Sequence, residues 1–474
     1  MASLDTLVVG AYIGLIFLIA WKVSGGRFKS NNSSEDQYLA GRSLSFTESI
    51  CSIIATEVSA LTFLGIPAFA FNKDFSFVQI YIGAIIGRLI IALVFLPKIY
   101  GKGLTIYEVM AQGSTGGGRR VVGAFYSFSK IFSVGVRLFS GSILVAQFIG
   151  VNVYLGLAIT TGMTFIYTLI GGLKAVVRTD ILQMSIFIGG GIVAHFMIPS
   201  IAQMPWDEMI SMASAANKTN IFNFPQPMSI IAGLLGGILF DMSTHGVDQD
   251  FVQRLTGNRS LKKAQFAIFL SSFISISVGL LFLSVGALLW SFYQSHPMPA
   301  GIPNADHLFA HFIVNYFPVG LKGLMVAGVL AATMSTLDST INALCATLYN
   351  DILPNRTKRT MGYYFIWDNI FITCCLFAVA YVSSKNDGLL LLGLKIQSWT
   401  AGALLGIFVT RVLLNKFFKF EFSVLSVVGA YACGLSAVWI NTSVLKWDWN
   451  WNTYFGTAAA MVFLILYSRI NKRL

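Results

Sequence analysis

Apolar runs of about twenty residues, each closed by a short polar stretch, recur along the entire chain. About 20 apolar residues are needed to cross the hydrocarbon of a bilayer. On that measure the pattern predicts thirteen helical spans, roughly 5–24, 46–72, 76–99, 121–149, 151–171, 177–200, 226–249, 264–291, 320–349, 361–384, 388–413, 422–441 and 452–469. No stretch longer than roughly 35 residues lacks such a run, so residues 1–474 read as a single transmembrane domain. An odd number of spans puts the two ends of the chain on opposite sides.

The charges between the spans give the orientation. One set of alternate loops holds Arg27, Lys29 and Arg42; Lys98, Lys102, Arg119 and Arg120; Lys174 and Arg178; Arg254, Arg259, Lys262 and Lys263. The same set continues with Arg356, Lys358 and Arg359, with Arg411, Lys416 and Lys419, and with Arg469, Lys472 and Arg473. The other set holds little more than Lys73, Lys218, Lys322, Lys385 and Lys446. Lys and Arg gather on the cytoplasmic side of membrane proteins. The expectation is a multi-pass protein of the inner (plasma) membrane, with its N-terminus outside and its C-terminus in the cytoplasm.

Composition agrees. The chain is 55% hydrophobic and 11% charged, where a soluble domain is about a quarter charged; the mean hydropathy is +0.72. The net charge of +12 lies in loops and not in a stripe, so it points to the lipid bilayer and away from nucleic acid. Cys51, Cys345, Cys374, Cys375 and Cys433 sit in apolar segments without metal-ligand spacing and read as small hydrophobes. The run Thr6–Trp21 lacks a basic flank and a cleavage site, so it reads as a retained helix, not a signal peptide.

Two spans carry polar residues that lipid-facing helices avoid. The second reads Ala55-Thr56-Glu57-Val58-Ser59-Ala60-Leu61-Thr62-Phe63-Leu64-Gly65-Ile66-Pro67. An ionised acid at mid-helix costs about 2.5–3.5 kcal/mol on insertion scales, so Glu57 must face protein, water or a cation. The seventh reads Gly236-Gly237-Ile238-Leu239-Phe240-Asp241-Met242-Ser243-Thr244-His245-Gly246-Val247-Asp248. These spans open two five-helix repeats, about 46–200 and 226–413, between an extra N-terminal helix at 5–24 and two C-terminal helices over 422–469. Broken helices at matching repeat positions point to a substrate and ion site at the midplane. In the ninth span Ser335, Asp338, Ser339 and Asn342 share one helix face. Aligned hydroxyls and a carboxylate suit a hard alkali cation; the bland alternative is hydrogen bonding between helices or back to the i−4 carbonyl.

With these motifs the chain resembles the sodium/solute symporters, a family that includes bacterial carriers of sialic acid, proline and galactose. The resemblance rests on Asp36–Arg42, Ala55–Phe63, Gly171–Gln183, Asp248–Arg254 and the Ser/Thr-rich ninth span, in order over almost the whole chain. It implies an all-α polytopic membrane protein with the LeuT-like inverted five-helix repeat and flanking helices. It implies sodium as the coupling ion, held at a main site by Ala55, Val58, Ala332, Ser335 and Thr336. It also implies a second cation set of Asp180, Ser335, Asp338 and Ser339, in which Asp338 departs from the serine of sialic acid carriers. Asp180 has an alternative partner in Lys174 or Arg178.

For the cargo, sialic acid carriers use a Ser-Ser-x-Thr stretch and an arginine on the fourth span. Here Ser59 and Thr62 keep two hydroxyls, and Arg137 lies about one turn from the expected arginine. An arginine suits a carboxylate, but Glu57 competes for it: Arg88 or Arg137 is the expected partner of Glu57. Phe77, Gln79, Tyr81, Phe240, Asp241 and Thr244 complete the expected cavity, and His245 reads as a structural group. The function expected is sodium-coupled symport of a small organic solute by alternating access, with a carboxylated solute such as sialic acid or a related sugar acid ahead of a neutral sugar, a polyol or an amino acid. A monomer suffices for this. A membrane enzyme would want a metal-ligand cluster, which the five histidines do not form, and a channel would want a filter sequence.

Overall fold

The computed structural model describes residues 3–24, 34–114, 117–169, 172–222, 230–298, 305–354, 361–384, 389–417 and 421–471. Arg27, Lys29, Gly171, Arg356, Lys358, Arg359, Lys385, Lys419, Lys472 and Arg473, named above for charge or motif, lie outside them. The described residues form an all-helical molecule. Ten helices are long and apolar enough to cross a membrane: α1 (Leu4–Val23), α4 (Val78–Ile99), α5 (Gly118–Ile149), α7 (Gly172–Ala202), α10 (Leu261–Ser295), α11 (Leu321–Ile352), α12 (Tyr363–Ser383), α13 (Leu389–Leu413), α14 (Val424–Leu445) and α15 (Trp449–Ile470). Two further spans are bent pairs: α2 (Phe46–Glu57) with α3 (Leu61–Asn72) at 59°, and α8 (Ile230–Gly246) with α9 (Gln249–Thr256) at 65°.

The remaining apolar helix, α6 (Val153–Thr168), has 16 residues, fewer than the 151–171 span expected. At 1.5 Å per residue it rises about 24 Å, short of the ~30 Å hydrocarbon thickness. Its start is fixed by the Asn152 side chain, which accepts from the Leu155 amide. Just beyond its end, Gly172 takes φ +58 against Gln37, a conformation that a Cβ would strain.

The polar sequence of each bent span produces its break. Val58 is extended, and the Ser59 amide, which an unbroken helix would give to the Ala55 carbonyl, donates instead to Thr62 Oγ1. The Thr62 amide donates to Ser59 O, and Ser59 Oγ accepts from the Leu61 amide as a cap for the new turn. At the second break Asp248 is extended and its carboxylate accepts the Asp250 amide, starting α9.

Around these breaks the helices pack closely. A Cβ at Gly83 would sit 2.2 Å from Leu234 O, and one at Gly237 would sit 2.5 Å from Ile80 O. Only glycine permits that approach of α4 and α8. At the centre stands α11, whose apolar window is 94% buried, against 22% for the peripheral α1. It packs against α7, α5, α1 and α2, which brings its hydroxyl face to the break in the α2–α3 pair.

Candidate functional site

A cavity of about 110 Å³ lies between the two broken helices, with α4, α5 and α13 completing its wall. Room of that size takes several waters or a small solute. Of the residues expected to meet the cargo, Glu57, Ser59, Thr62, Phe77, Tyr81, Arg137, Phe240, Asp241 and Thr244 line it. Gln79 stands apart: its Nε2 donates to Ile221 O at 2.6 Å, outside the lining.

The charges on the wall and just behind it sort into two groups. Arg88, fully buried, is 2.7 Å from Glu57 Oε1 and 3.2 Å from Asp241 Oδ1, and it donates to Ser271 and Ser275. Ser275 in turn donates to Glu57 Oε2 at 2.6 Å. His245, which also borders the cavity, lies 3.0 Å from Asp241 Oδ1 and 3.2 Å from an Arg88 nitrogen. Arg88 is therefore the partner of Glu57, and Arg137 is released from that role. Arg137 donates to Gln397 Oε1 at 3.0 Å, and its Nε has no acceptor among the described residues. No carboxylate there pairs with it. Such a half-buried guanidinium with unspent donors is equipped to receive an oxyanion.

A second, much smaller cavity of about 10 Å³ lies behind the break, bounded by Ala55, Val58, Ala332, Ser335, Gln183, Met184, Phe187 and Ala331. That is room for one water-sized particle. Four of the five residues expected at the main sodium site border it. Thr336 does not; its hydroxyl donates back to Ala332 O at 2.9 Å. The amides that would close on the Ala55 and Val58 carbonyls have turned to Thr62 and Ser59, and Ser335 Oγ gives its proton to Asp180 Oδ1 at 2.5 Å, keeping its lone pairs.

The four residues of the second cation set, Asp180, Ser335, Asp338 and Ser339, are also neighbours, but a protein cation stands among them. Arg254, fully buried on α9, donates to Ser52 Oγ at 2.7 Å, to Asp250 and to Ser339 Oγ, and lies 3.6 Å from Asp180 Oδ2. Asp180 pairs with this residue and not with Lys174 or Arg178. Asp338 Oδ1 accepts from Ser339, and its Oδ2 accepts no bond among the described residues.

Sequence reasoning passed over Lys130. Its ammonium sits 2.7 Å from Asp248 and 3.0 Å from Asp250, and Tyr126 donates to Asp248 at 2.8 Å. These bonds tie α5 to the second break at the floor of the main cavity. A lysine inside an apolar span was the signal that could have found it. Gln397 carried no such signal, because a neutral amide in a span is unremarkable until its neighbour is known to be Arg137.

Comparison with known proteins gives a consistent result. The model of the sodium:solute symporter family matches residues 37–419. The human sodium/iodide cotransporter is 26% identical over 86% of this chain, which spans 64% of that protein's length. Sodium-coupled monocarboxylate transporter 1 of Mus musculus is 28% identical over 92% of this chain and 71% of its own. A sodium/sialic acid symporter of Aliivibrio fischeri is 24% identical over 98% and 92%. In structure, a Na⁺-coupled sialic acid symporter superposes with a TM-score of 0.86 at 20% identity, covering 98% of each chain. The fold is thus the LeuT-like inverted repeat with flanking helices.

Proposed function

We propose, from the premise that the chain belongs to the sodium:solute symporter family, that it imports a small carboxylated solute together with sodium. Sodium-coupled transport comes with the family; the cargo, the ion ligands and the route are our reading. Arg137 carries it. A guanidinium in a membrane cavity is costly unless something answers its charge, and Glu57 is already committed to Arg88. A carboxylate fits the planar fork of Arg137, while Ser59, Thr62 and Tyr81 offer hydroxyls to the rest of a polar solute. Iodide, monocarboxylates and sialic acid, the cargoes named for the relatives, are anions. A sugar acid such as sialic acid remains the leading choice, and a neutral sugar, polyol or amino acid is the alternative.

In this reading sodium enters the small cavity behind the α2–α3 break, where the carbonyls of Ala55, Val58 and Ala332 and the Ser335 hydroxyl replace its water. Residues 46–200 and 226–413 form the two repeats that rock about the cavity, with the N-terminus outside, in a single copy of the chain. The decisive variant is Arg137→Gln in reconstituted vesicles. It should raise KM for a carboxylated substrate at least tenfold, about 1.4 kcal/mol, with the sodium midpoint unchanged. Uptake restricted to an uncharged sugar defeats the carboxylate reading.

A further inference from the structure

We propose that the seam between α4 and α10 carries a seat for an anionic phospholipid. Lys98, Lys102, Arg259, Lys262 and Lys263 hold its headgroup, and its acyl chains lie along the two helices. The seat shares no residue with either cavity and is independent of the cargo or ion they take.

The two helices are in contact, and the inner end of α4 packs against α10. Gln265 Nε2 donates to Ala92 O at 2.8 Å. That bond sets the first turn of α10, with Lys262 and Lys263, beside the last turns of α4, with Lys98. The chain beyond α4 returns to the same corner: Tyr100 donates to Asn258 O at 2.8 Å, bringing residues 100–102 to the turn that carries Arg259. All five cations are exposed. Arg259 spends only its Nε, on Ser43 O at 2.8 Å. Next to the cations each helix turns an apolar stripe outward, Leu89, Leu93 and Val94 on α4 and Phe266, Phe273 and Leu280 on α10.

Lys and Arg gather on the inner side of membrane proteins in general, so their presence alone points to no ligand. This corner differs in that its cations are unanswered. Arg42, Arg119 and Arg178 pair with Glu35, Asp351 and Glu48, whereas none of the five has a carboxylate within 4.0 Å among the described residues. Basic clusters where spans meet the surface take anionic headgroups. A phospholipid meets the charge and the apolar stripes together; a soluble anion meets the charge alone. The seam also reaches the transport machinery. Arg88, on α4, donates to Ser271 and Ser275 of α10 and pairs with Glu57 of α2 and Asp241 of α8. These are the first two spans of each proposed repeat, so a headgroup at this corner anchors to the membrane surface the body that carries both breaks.

The test is the Tm of the purified protein in a neutral detergent at low salt, titrated with three probes. These are phosphatidylglycerol, phosphatidylcholine with the same acyl chains, and glycerol 3-phosphate, the headgroup without chains. Phosphatidylglycerol should raise Tm at the lowest concentration, and the other two should do so little or not at all. Lys98→Gln with Lys262→Gln should raise the phosphatidylglycerol concentration for half-maximal effect at least tenfold. Lys98→Arg with Lys262→Arg, which keeps the charge, should respond like the wild type. Arg120→Gln with Lys416→Gln removes two exposed charges from the same set of loops away from the seam and should change the response less than twofold. Melting without added lipid reports whether each variant is folded; if the first pair is not, Lys102→Gln with Lys263→Gln gives the same test. Equal stabilisation by phosphatidylcholine or by glycerol 3-phosphate overturns the proposal. So does an unchanged response in a folded seam variant, or an equal loss in the Arg120 and Lys416 control, which would make the effect one of general surface charge.

Discussion

At the scale of single residues, the two hydroxyls of the main sodium set separate. Both Ser335 and Thr336 are expected ligands by resemblance, yet only Ser335 borders the cavity, and Asp180 orients its hydroxyl. Ser335→Ala should therefore shift the sodium activation midpoint of uptake roughly tenfold or more, about 1.4 kcal/mol. Thr336→Val, which loses a back-bond to Ala332 at nearly constant volume, should shift it by less than threefold. Equal shifts in both would show that Thr336 turns toward the ion. The carboxylates illustrate what a sequence can carry. That Glu57 and Asp241 needed partners inside the membrane was legible from their cost there. That one arginine, Arg88, serves both was not, because its choice over Arg137 depends on the close crossing of α4 and α8 at Gly83 and Gly237.

At the scale of elements, the breaks were the most legible features of the chain. Ser59 and Thr62 in one span and Gly246 and Asp248 in the other cannot continue a helix without cost, and the bends of 59° and 65° fall there. The length of α6 was less legible, since hydropathy runs on past Thr168 while the backbone does not. The orientation expected from the loop charges is testable without substrate. Arg42, Lys98, Lys102, Arg119, Arg259, Lys262 and Lys263 flank the same ends of their spans, opposite Lys73, Lys218 and Lys322. Cysteines placed singly in a cysteine-free version at Lys102 and at Lys218 should differ in labelling by a membrane-impermeant reagent applied to intact cells. Lys218→Cys should label and Lys102→Cys should not; the reverse pattern inverts the topology.

At the scale of the whole molecule, the buried charges bear on how many ions would accompany the proposed cargo. Four carboxylates, Asp180, Asp248, Asp250 and Asp338, gather around α9 with two protein cations, Lys130 and Arg254. Resemblance alone would give the second cation set to a second sodium. In this chain the Arg254 guanidinium already stands there, bonded to Ser339 and Ser52 and close to Asp180. Admitting an ion would require that guanidinium to leave Asp180 and Ser339 while still buried. Breaking a buried pair costs about 3–5 kcal/mol, more than the tenfold affinity expected from one well-placed ligand would recover. The expected coupling is one sodium per substrate, so a singly charged carboxylate should move with no net charge. In proteoliposomes, the sodium gradient that just balances a tenfold substrate gradient should itself be tenfold, and clamping the membrane potential should not change it. A balance point near threefold, or one that moves with potential for a monovalent substrate, would mean that two sodium ions cross and that Arg254 yields its place during the cycle.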